Sequence, residues 1–280
     1  MKQNFELRHA VHPDDFKSYG TQKLRDHFAV TKLMVKNQVN MVYTMYDRYI
    51  CGGAVPVGGP LNLKTVDALK ADYFLERREL GIINVGGKGS VEVDGKKYAL
   101  GNMDALYVGR GNKKIVFKSR AKKQPAKFYF NSAPAHHAYP SKLIKKTDAD
   151  VVKLGSLETS NARTIYKLIV NSVVKTCQLQ MGLTELEKGS VWNTMPAHTH
   201  NRRMEIYFYF NLPKGQSACH FMGQPQETRH LFLQNEEAAI SPPWSIHAGS
   251  GTSNYAFIWG MCGENLDYGD MDMVSIPDLR

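Results

Sequence analysis

Asn201-Arg202-Arg203-Met204-Glu205-Ile206-Tyr207-Phe208 is a degenerate copy of Glu76-Arg77-Arg78-Glu79-Leu80-Gly81-Ile82-Ile83. Each segment opens with paired arginines, turns apolar, and leads into a hairpin pattern. Each half then passes through a polar turn into a short apolar strand and a Gly or Pro loop, Asp104-Ala105-Leu106-Tyr107-Val108-Gly109 in one and Ala238-Ala239-Ile240-Ser241-Pro242-Pro243 in the other. Similar order at a spacing of about 130 residues is the pattern of a duplicated β unit. Antiparallel units fused head to tail, as barrels or jelly rolls, are the architecture this predicts.

The surrounding sequence agrees. Runs rich in Val, Ile, Tyr and Phe predict strands at Met41–Tyr46, Gly81–Val85, Ser90–Val93, Ala105–Val108, Lys114–Phe117 and Lys127–Phe130. Glycine turns separate them, and Asp94-Gly95 is a strong two-residue hairpin signal. Residues 1–35 carry a helical hint, with Asp14 and Asp15 ahead of Phe16, Tyr19, Leu24 and Phe28 on roughly one face. The stretch Ser132–Asp150, with two prolines and a lysine cluster, reads as the linker. The fold class is therefore all-β with minor helices, divided into 1–145, which the helical segment precedes, and 146–280.

Composition narrows the function. The chain has 280 residues, 42% hydrophobic and 22% charged, as an ordinary globular chain does. A mean hydropathy of -0.39 with no apolar run near spanning length argues against membrane helices. The first thirty residues contain no apolar signal core, and the four cysteines stand apart with no C-x-x-C pair. Cytoplasmic residence with reduced thiols is the expectation. The net charge of +10 comes largely from a lysine-rich stretch, Lys113–Thr147, set against an acidic tail from Glu264. That stretch lacks the aromatic spacing of a nucleic-acid groove, so a solvated face is the reading, with no nucleic-acid partner. Gly86-Gly87-Lys88-Gly89 sits between strands and opens no helix, so it is no phosphate cradle.

Chemistry concentrates in Met195-Pro196-Ala197-His198-Thr199-His200-Asn201-Arg202-Arg203-Met204-Glu205 and, later, Pro242-Pro243-Trp244-Ser245-Ile246-His247. On a strand, His198 and His200 project to one face. Glu205 follows after room for a turn and a return strand, and His247 arrives from a distant strand. Three imidazoles and a carboxylate suit Zn, Fe, Mn, Ni or Co, with His230 or His220 as substitutes should His247 not reach. Alternation also sends Tyr207 and Tyr209 inward, where a phenol could serve a substrate oxygen or merely fill the core. Arg202, Arg203 and Arg229 are candidate partners for a carboxylate, and Gln226 and Trp244 flank the site. Glu227 and His230 share one segment as possible bases. Glu76 and Glu79 could pair as acid and base, but read first as salt-bridge partners of Arg77, Arg78 or a neighbouring subunit, and His136-His137 as a linker or interface element.

The H-x-H-x4-E string and the Pro242…His247 spacing resemble the two motifs of the cupin superfamily, although Trp244 stands where a glycine is usual. The equivalent positions in the first half are Tyr73, Leu75 and Leu80, so that half is expected to be free of metal. Longer strings, including Tyr73-Phe74-Leu75-Glu76-Arg77-Arg78-Glu79-Leu80-Gly81, Pro125-Ala126-Lys127-Phe128-Tyr129, Trp192-Asn193-Thr194-Met195-Pro196 and Met222-Gly223-Gln224-Pro225-Gln226-Glu227-Thr228-Arg229-His230, make the chain similar to the 4-deoxy-L-threo-5-hexosulose-uronate ketol-isomerase family. The resemblance implies a hexameric bicupin holding one Zn2+ per subunit on His198, His200, Glu205 and His247. It also implies isomerisation of an aldose to a ketose during breakdown of pectin or related uronate polysaccharides. On this reading Glu205, Tyr207, Arg229 and His230 are catalytic candidates, and Arg202, Arg203, Gln226 and Trp244 touch the uronate. The ligand set by itself leaves open an iron-dependent oxygenase or lyase, and a sugar-binding bicupin in which the metal only staples a barrel.

Overall fold

The computed structural model describes residues 2–264 and 268–280, so Asp267 of the acidic tail lies outside the described residues. The chain forms two compact units. The first contains residues 2–8, 32–150 and 167–181, the second residues 9–31, 151–166 and 182–280. The expected cut at 145/146 is thus replaced by an interleaved division. The helical segment, expected ahead of the first half, belongs to the second unit: Phe16 and Phe28 set their rings edge-on against Trp244 at 5.1 and 6.5 Å. Aromatic burial, not sequence proximity, decides its allegiance.

The duplication is plain in the sheets. The first unit has a seven-stranded sheet in the order Lys2–Arg8, Gln38–Thr44, Tyr49–Ala54, Phe128–Pro134, Arg78–Asn84, Ala105–Val108, Lys142–Ile144. A four-stranded sheet runs Leu61–Leu63, Ile115–Ser119, Gly89–Val93, Lys96–Leu100. The second pair of sheets repeats this plan, with Arg203–Phe210 between Ala256–Gly263 and Glu237–Ser241 in the seven-stranded sheet, as Arg78–Asn84 lies between Phe128–Pro134 and Ala105–Val108. Its four-stranded sheet is Trp192–Asn193, Ile246–Gly251, Ala218–Gln224, Glu227–Leu233. Pairing is mostly antiparallel, but Lys2–Arg8 joins Gln38–Thr44 in parallel. The units are cupin-type pairs of open sheets and not closed barrels.

Local chemistry explains the turns and edges. Asp94 and Gly95 have φ of 46° and 87°, the positive pair a two-residue hairpin between right-twisted strands requires. Residues 1–35 are not wholly helical: Lys2–Arg8 is a strand, and the helices are Pro13–Phe16 and Thr21–Phe28. Leu75 and Leu80, at the repeat positions of His200 and Glu205, are fully buried in the first unit's apolar core with Phe74, Ile82 and Phe117. Hydrocarbon fills the place of ligands there. Leu75→Ala is accordingly expected to destabilise the protein by about 2–5 kcal/mol and to leave metal stoichiometry at one per chain. Chemical denaturation with elemental analysis checks both, and two metal equivalents per chain would contradict the assignment.

Glu79 corrects a second expectation. Its buried carboxylate accepts the Tyr107 hydroxyl at 2.7 Å and the backbone N–H groups of Cys177, Gln178 and Leu179 at 2.9, 2.7 and 2.8 Å. Arg78 instead donates to Ser132 and to the Arg48 carbonyl. Glu76 accepts the Asp72 N–H. His136 and His137 are exposed, with the His137 ring on Tyr139 at 4.5 Å.

Candidate metal centre

Four elements of the second unit bring the ligands together. His198–Thr199 is a short strand paired with Asp272–Met273, and the Ala197 carbonyl accepts the Val274 N–H at 2.9 Å. A turn through Asn201 and Arg202 returns the chain as strand Arg203–Phe210, on which alternation aims Glu205 inward. His247 lies on Ile246–Gly251, after the Pro242-Pro243 loop. The donor atoms of His198, His200, Glu205 and His247 all lie within 4.8 Å of one another, and all four residues are buried.

The geometry fits a cation. His200 Nδ1 is 2.8 Å from the Arg203 carbonyl oxygen, which can only accept, so Nδ1 carries the proton and Nε2 presents a lone pair. That lone pair faces Glu205 Oε2 at 3.2 Å. His247 Nε2 is 2.9 Å from the same oxygen and 2.8 Å from His198 Nε2. Converging acceptors repel one another unless a positive charge sits among them. Burial, and then the neighbouring His247, pushes His198 down to about 2, so its imidazole is neutral and free to ligate. Burial opposes charge on Glu205, yet His247 and His200 together hold its carboxyl well below the usual carboxylate range.

Phenols line the interior beside these ligands. Tyr207 packs edge-on against His247 at 5.4 Å, and its hydroxyl is 2.9 Å from Thr194 Oγ1. Burial, reinforced by the Glu205 charge, keeps the phenol protonated. Tyr268 rests on Trp259 at 5.1 Å, and its ionisation is opposed first by burial and then by Glu205.

The other residues read from the sequence fall into different places. Arg203 is 1% exposed and donates to the Tyr268 and Asp270 carbonyls at 3.2 and 3.1 Å, tying the C-terminal segment to the ligand strand. Its repeat partner Arg78 likewise donates to backbone carbonyls, those of Arg48 and Ser132. Arg202 pairs with Asp270. Arg229 donates to Glu227 and to the Lys17 carbonyl at 2.7 and 2.8 Å. Gln226 donates to the Asp278 carbonyl, and Trp244 packs on Phe16. Alternation along Glu227–Leu233 buries Leu231 and Leu233 and leaves His230 exposed. Arg229, Gln226 and Trp244 thus contact the N-terminal helical segment and the chain end, and Glu227 pairs with Arg229.

Arg163, which the sequence did not single out, interacts electrostatically with the interior tyrosines. It is half-buried at the start of strand Arg163–Ile169; burial lowers its pKa, opposed by charge interactions with Tyr207, Tyr268 and Tyr255. Only tertiary folding reveals that neighbourhood.

A buried three-histidine, one-carboxylate cluster that could hold a metal ion, set inside an antiparallel unit, defines the class: a cupin fold duplicated along one chain. Residues 29–276 match the KduI/IolB family, and the chain belongs to it. Similar curated proteins are the 4-deoxy-L-threo-5-hexosulose-uronate ketol-isomerase of Formosa agariphila, 60% identical over 280 residues and 100% of both chains, and the ketol-isomerase 1 of Bacteroides thetaiotaomicron, 55% identical over the same span. Among solved structures, an IolB-like protein from Salmonella typhimurium LT2 aligns with a TM-score of 0.65 at 16% identity, covering 81% of this chain and 86% of that one. Lactobacillus farciminis oxalate decarboxylase aligns at 0.54 and 9% identity, covering 81% and 79%. These two likenesses concern the fold alone.

Proposed function

We propose that this protein is a cytoplasmic, zinc-dependent ketol-isomerase. It converts 4-deoxy-L-threo-5-hexosulose uronate, also called 5-dehydro-4-deoxy-D-glucuronate, to 3-deoxy-D-glycero-2,5-hexodiulosonate, in the breakdown of pectin or related uronate polysaccharides. Full-length identity to named ketol-isomerases, together with the buried ligand cluster, carries the reading. The active assembly is a hexamer with one ion per subunit.

The reaction moves a carbonyl from the terminal carbon to its neighbour: a proton leaves the carbon bearing the hydroxyl and another arrives at the former aldehyde carbon. An ion held by His198, His200, Glu205 and His247 supplies Lewis acidity toward the carbonyl oxygen. The Arg203 carbonyl fixes the His200 ring, and Glu205, ionised, balances the ion's charge. Tyr207, kept protonated and oriented by Thr194, donates to a substrate oxygen as charge develops there. Arg163, whose Nη1 donates to the Asn161 carbonyl at 2.9 Å, binds the uronate carboxylate through the rest of its guanidinium, a fork that matches carboxylate oxygens. The near-complete burial of Glu205, His247 and Tyr207 excludes bulk water from the reacting carbons.

The decisive experiment is elemental analysis of the purified protein followed by NMR of the carbonyls as it acts on the unsaturated-uronate product of a polysaccharide lyase, with and without oxygen. Oxygen-independent ketose formation is expected. Oxygen consumption, or no turnover by metal-replete protein, would refute the reading. His247→Ala leaves three ligands and should lose zinc affinity by on the order of 10–100-fold or more, with turnover falling further. Excess zinc should restore occupancy before rate. Wild-type affinity and rate in this variant would mean another residue completes the set.

A further inference from the structure

A second polar group lies deeper along the same interior. His220 stands opposite Gly249, one alternation step beyond the paired Met222 and His247. It is fully buried, with Nδ1 2.8 Å from the Tyr209 hydroxyl. Nε2, on another edge of the ring, has no hydrogen-bond partner among the described residues. The same is true of Asn193 Oδ1, although Asn193 Nδ2 donates to the Tyr255 hydroxyl at 2.6 Å. The His220 ring stands edge-on to Tyr207 at 5.5 Å, and Tyr207 stands edge-on to the ligand His247 at 5.4 Å. Gly249 permits the convergence: a Cβ there would lie 2.7 Å from the Tyr209 hydroxyl and 2.9 Å from Asn193 Nδ2. Buried polar atoms are rarely left without partners, and the exceptions call for a group that completes them.

Asn193 Oδ1 only accepts, so whatever completes it must donate. An imidazole nitrogen either donates or accepts according to tautomer. A hydroxyl does both, and satisfies either case. Resting on the isomerase reading, we infer that His220 Nε2 and Asn193 Oδ1 form a hydroxyl-recognition subsite that takes the open chain of a polyhydroxy acid bound next to the metal ligands, with Tyr209 as the positioning residue that fixes the imidazole. Burial pushes His220 down to about 3, so the ring is neutral throughout the physiological range and serves as a hydrogen-bonding group without titrating.

The test uses zinc-loaded full-length protein and two probes. One is the substrate, followed as KM and kcat. The other is its borohydride-reduced form, which keeps carboxylate and hydroxyls, lacks carbonyls, cannot isomerise, and is titrated calorimetrically. His220→Phe keeps the ring and removes both nitrogens. It should weaken binding of the reduced acid and raise KM by about tenfold, the scale of one lost buried hydrogen bond, with zinc content unchanged. His220→Gln, which restores a polar end and serves equally if the phenylalanine variant fails to fold, should recover part of the loss. Tyr209→Phe should give a smaller effect in the same direction. Unchanged affinity and KM in both His220 variants overturn the subsite. A wild-type protein that binds the reduced acid but does not isomerise refutes the isomerase reading and leaves the subsite to be judged by calorimetry; a wild type that isomerises but does not bind the reduced acid overturns the subsite alone.

Discussion

Alanine at His198, His200 or Glu205 strips the metal and abolishes isomerisation while the chain stays folded. Each removes one donor from a set whose atoms lie within 4.8 Å of one another, and no other His, Cys, Asp or Glu among the described residues belongs to that set. Loss of electrostatic stabilisation at the reacting carbonyl should lower turnover by on the order of a thousandfold or more. Folding is spared because the core of the unit is built by apolar side chains such as Ile206, Phe208, Ile240 and Ile258. Elemental analysis, circular dichroism and the NMR assay together read the outcome. A metal-replete, fully active His200→Ala protein would sink the site assignment.

Glu79→Ala has the largest expected effect on stability. The wild-type carboxylate, fully buried, accepts four donors, three of them consecutive backbone N–H groups of residues 177–179. Truncation leaves all four buried without acceptors. At about 1–3 kcal/mol for each orphaned group, and with partial relaxation, the loss should reach about 4 kcal/mol or more. Glu79→Gln keeps an oxygen but turns an amide donor toward N–H donors, and should fall between. The denaturant midpoint of the first unit measures the effect. A shift worth under about 1 kcal/mol would show that water replaces the carboxylate at little cost.

The arginine-led repeat is informative because both strands obey the same alternation: Leu80 and Ile82 in one, Glu205 and Tyr207 in the other, face their interiors. Spacing alone therefore located the ligand strand, the turn before it, and the apolar substitutions of the first half. Glu79 shows where spacing stops. Adjacent arginines suggest ion pairs, but the partners of a buried carboxylate are chosen by whichever unsatisfied donors folding brings near, here those of a segment about a hundred positions later. On strand Glu227–Leu233 the sequence pattern offered several polar candidates, and folding buries Leu231 and Leu233 while leaving His230 exposed.

The sequence by itself determined the β class, the duplication, the four ligand residues as candidates, and the family, because alternation and short-range turn chemistry are written at fixed offsets along the chain. Tertiary structure alone decided which unit owns the helices, that Arg203 binds carbonyls, that Arg163 neighbours the tyrosines, and that His220 keeps an unpartnered nitrogen beside them. Each of these depends on contacts between residues far apart in the chain, and such contacts are fixed by packing and by the satisfaction of buried polar groups, which no local spacing encodes.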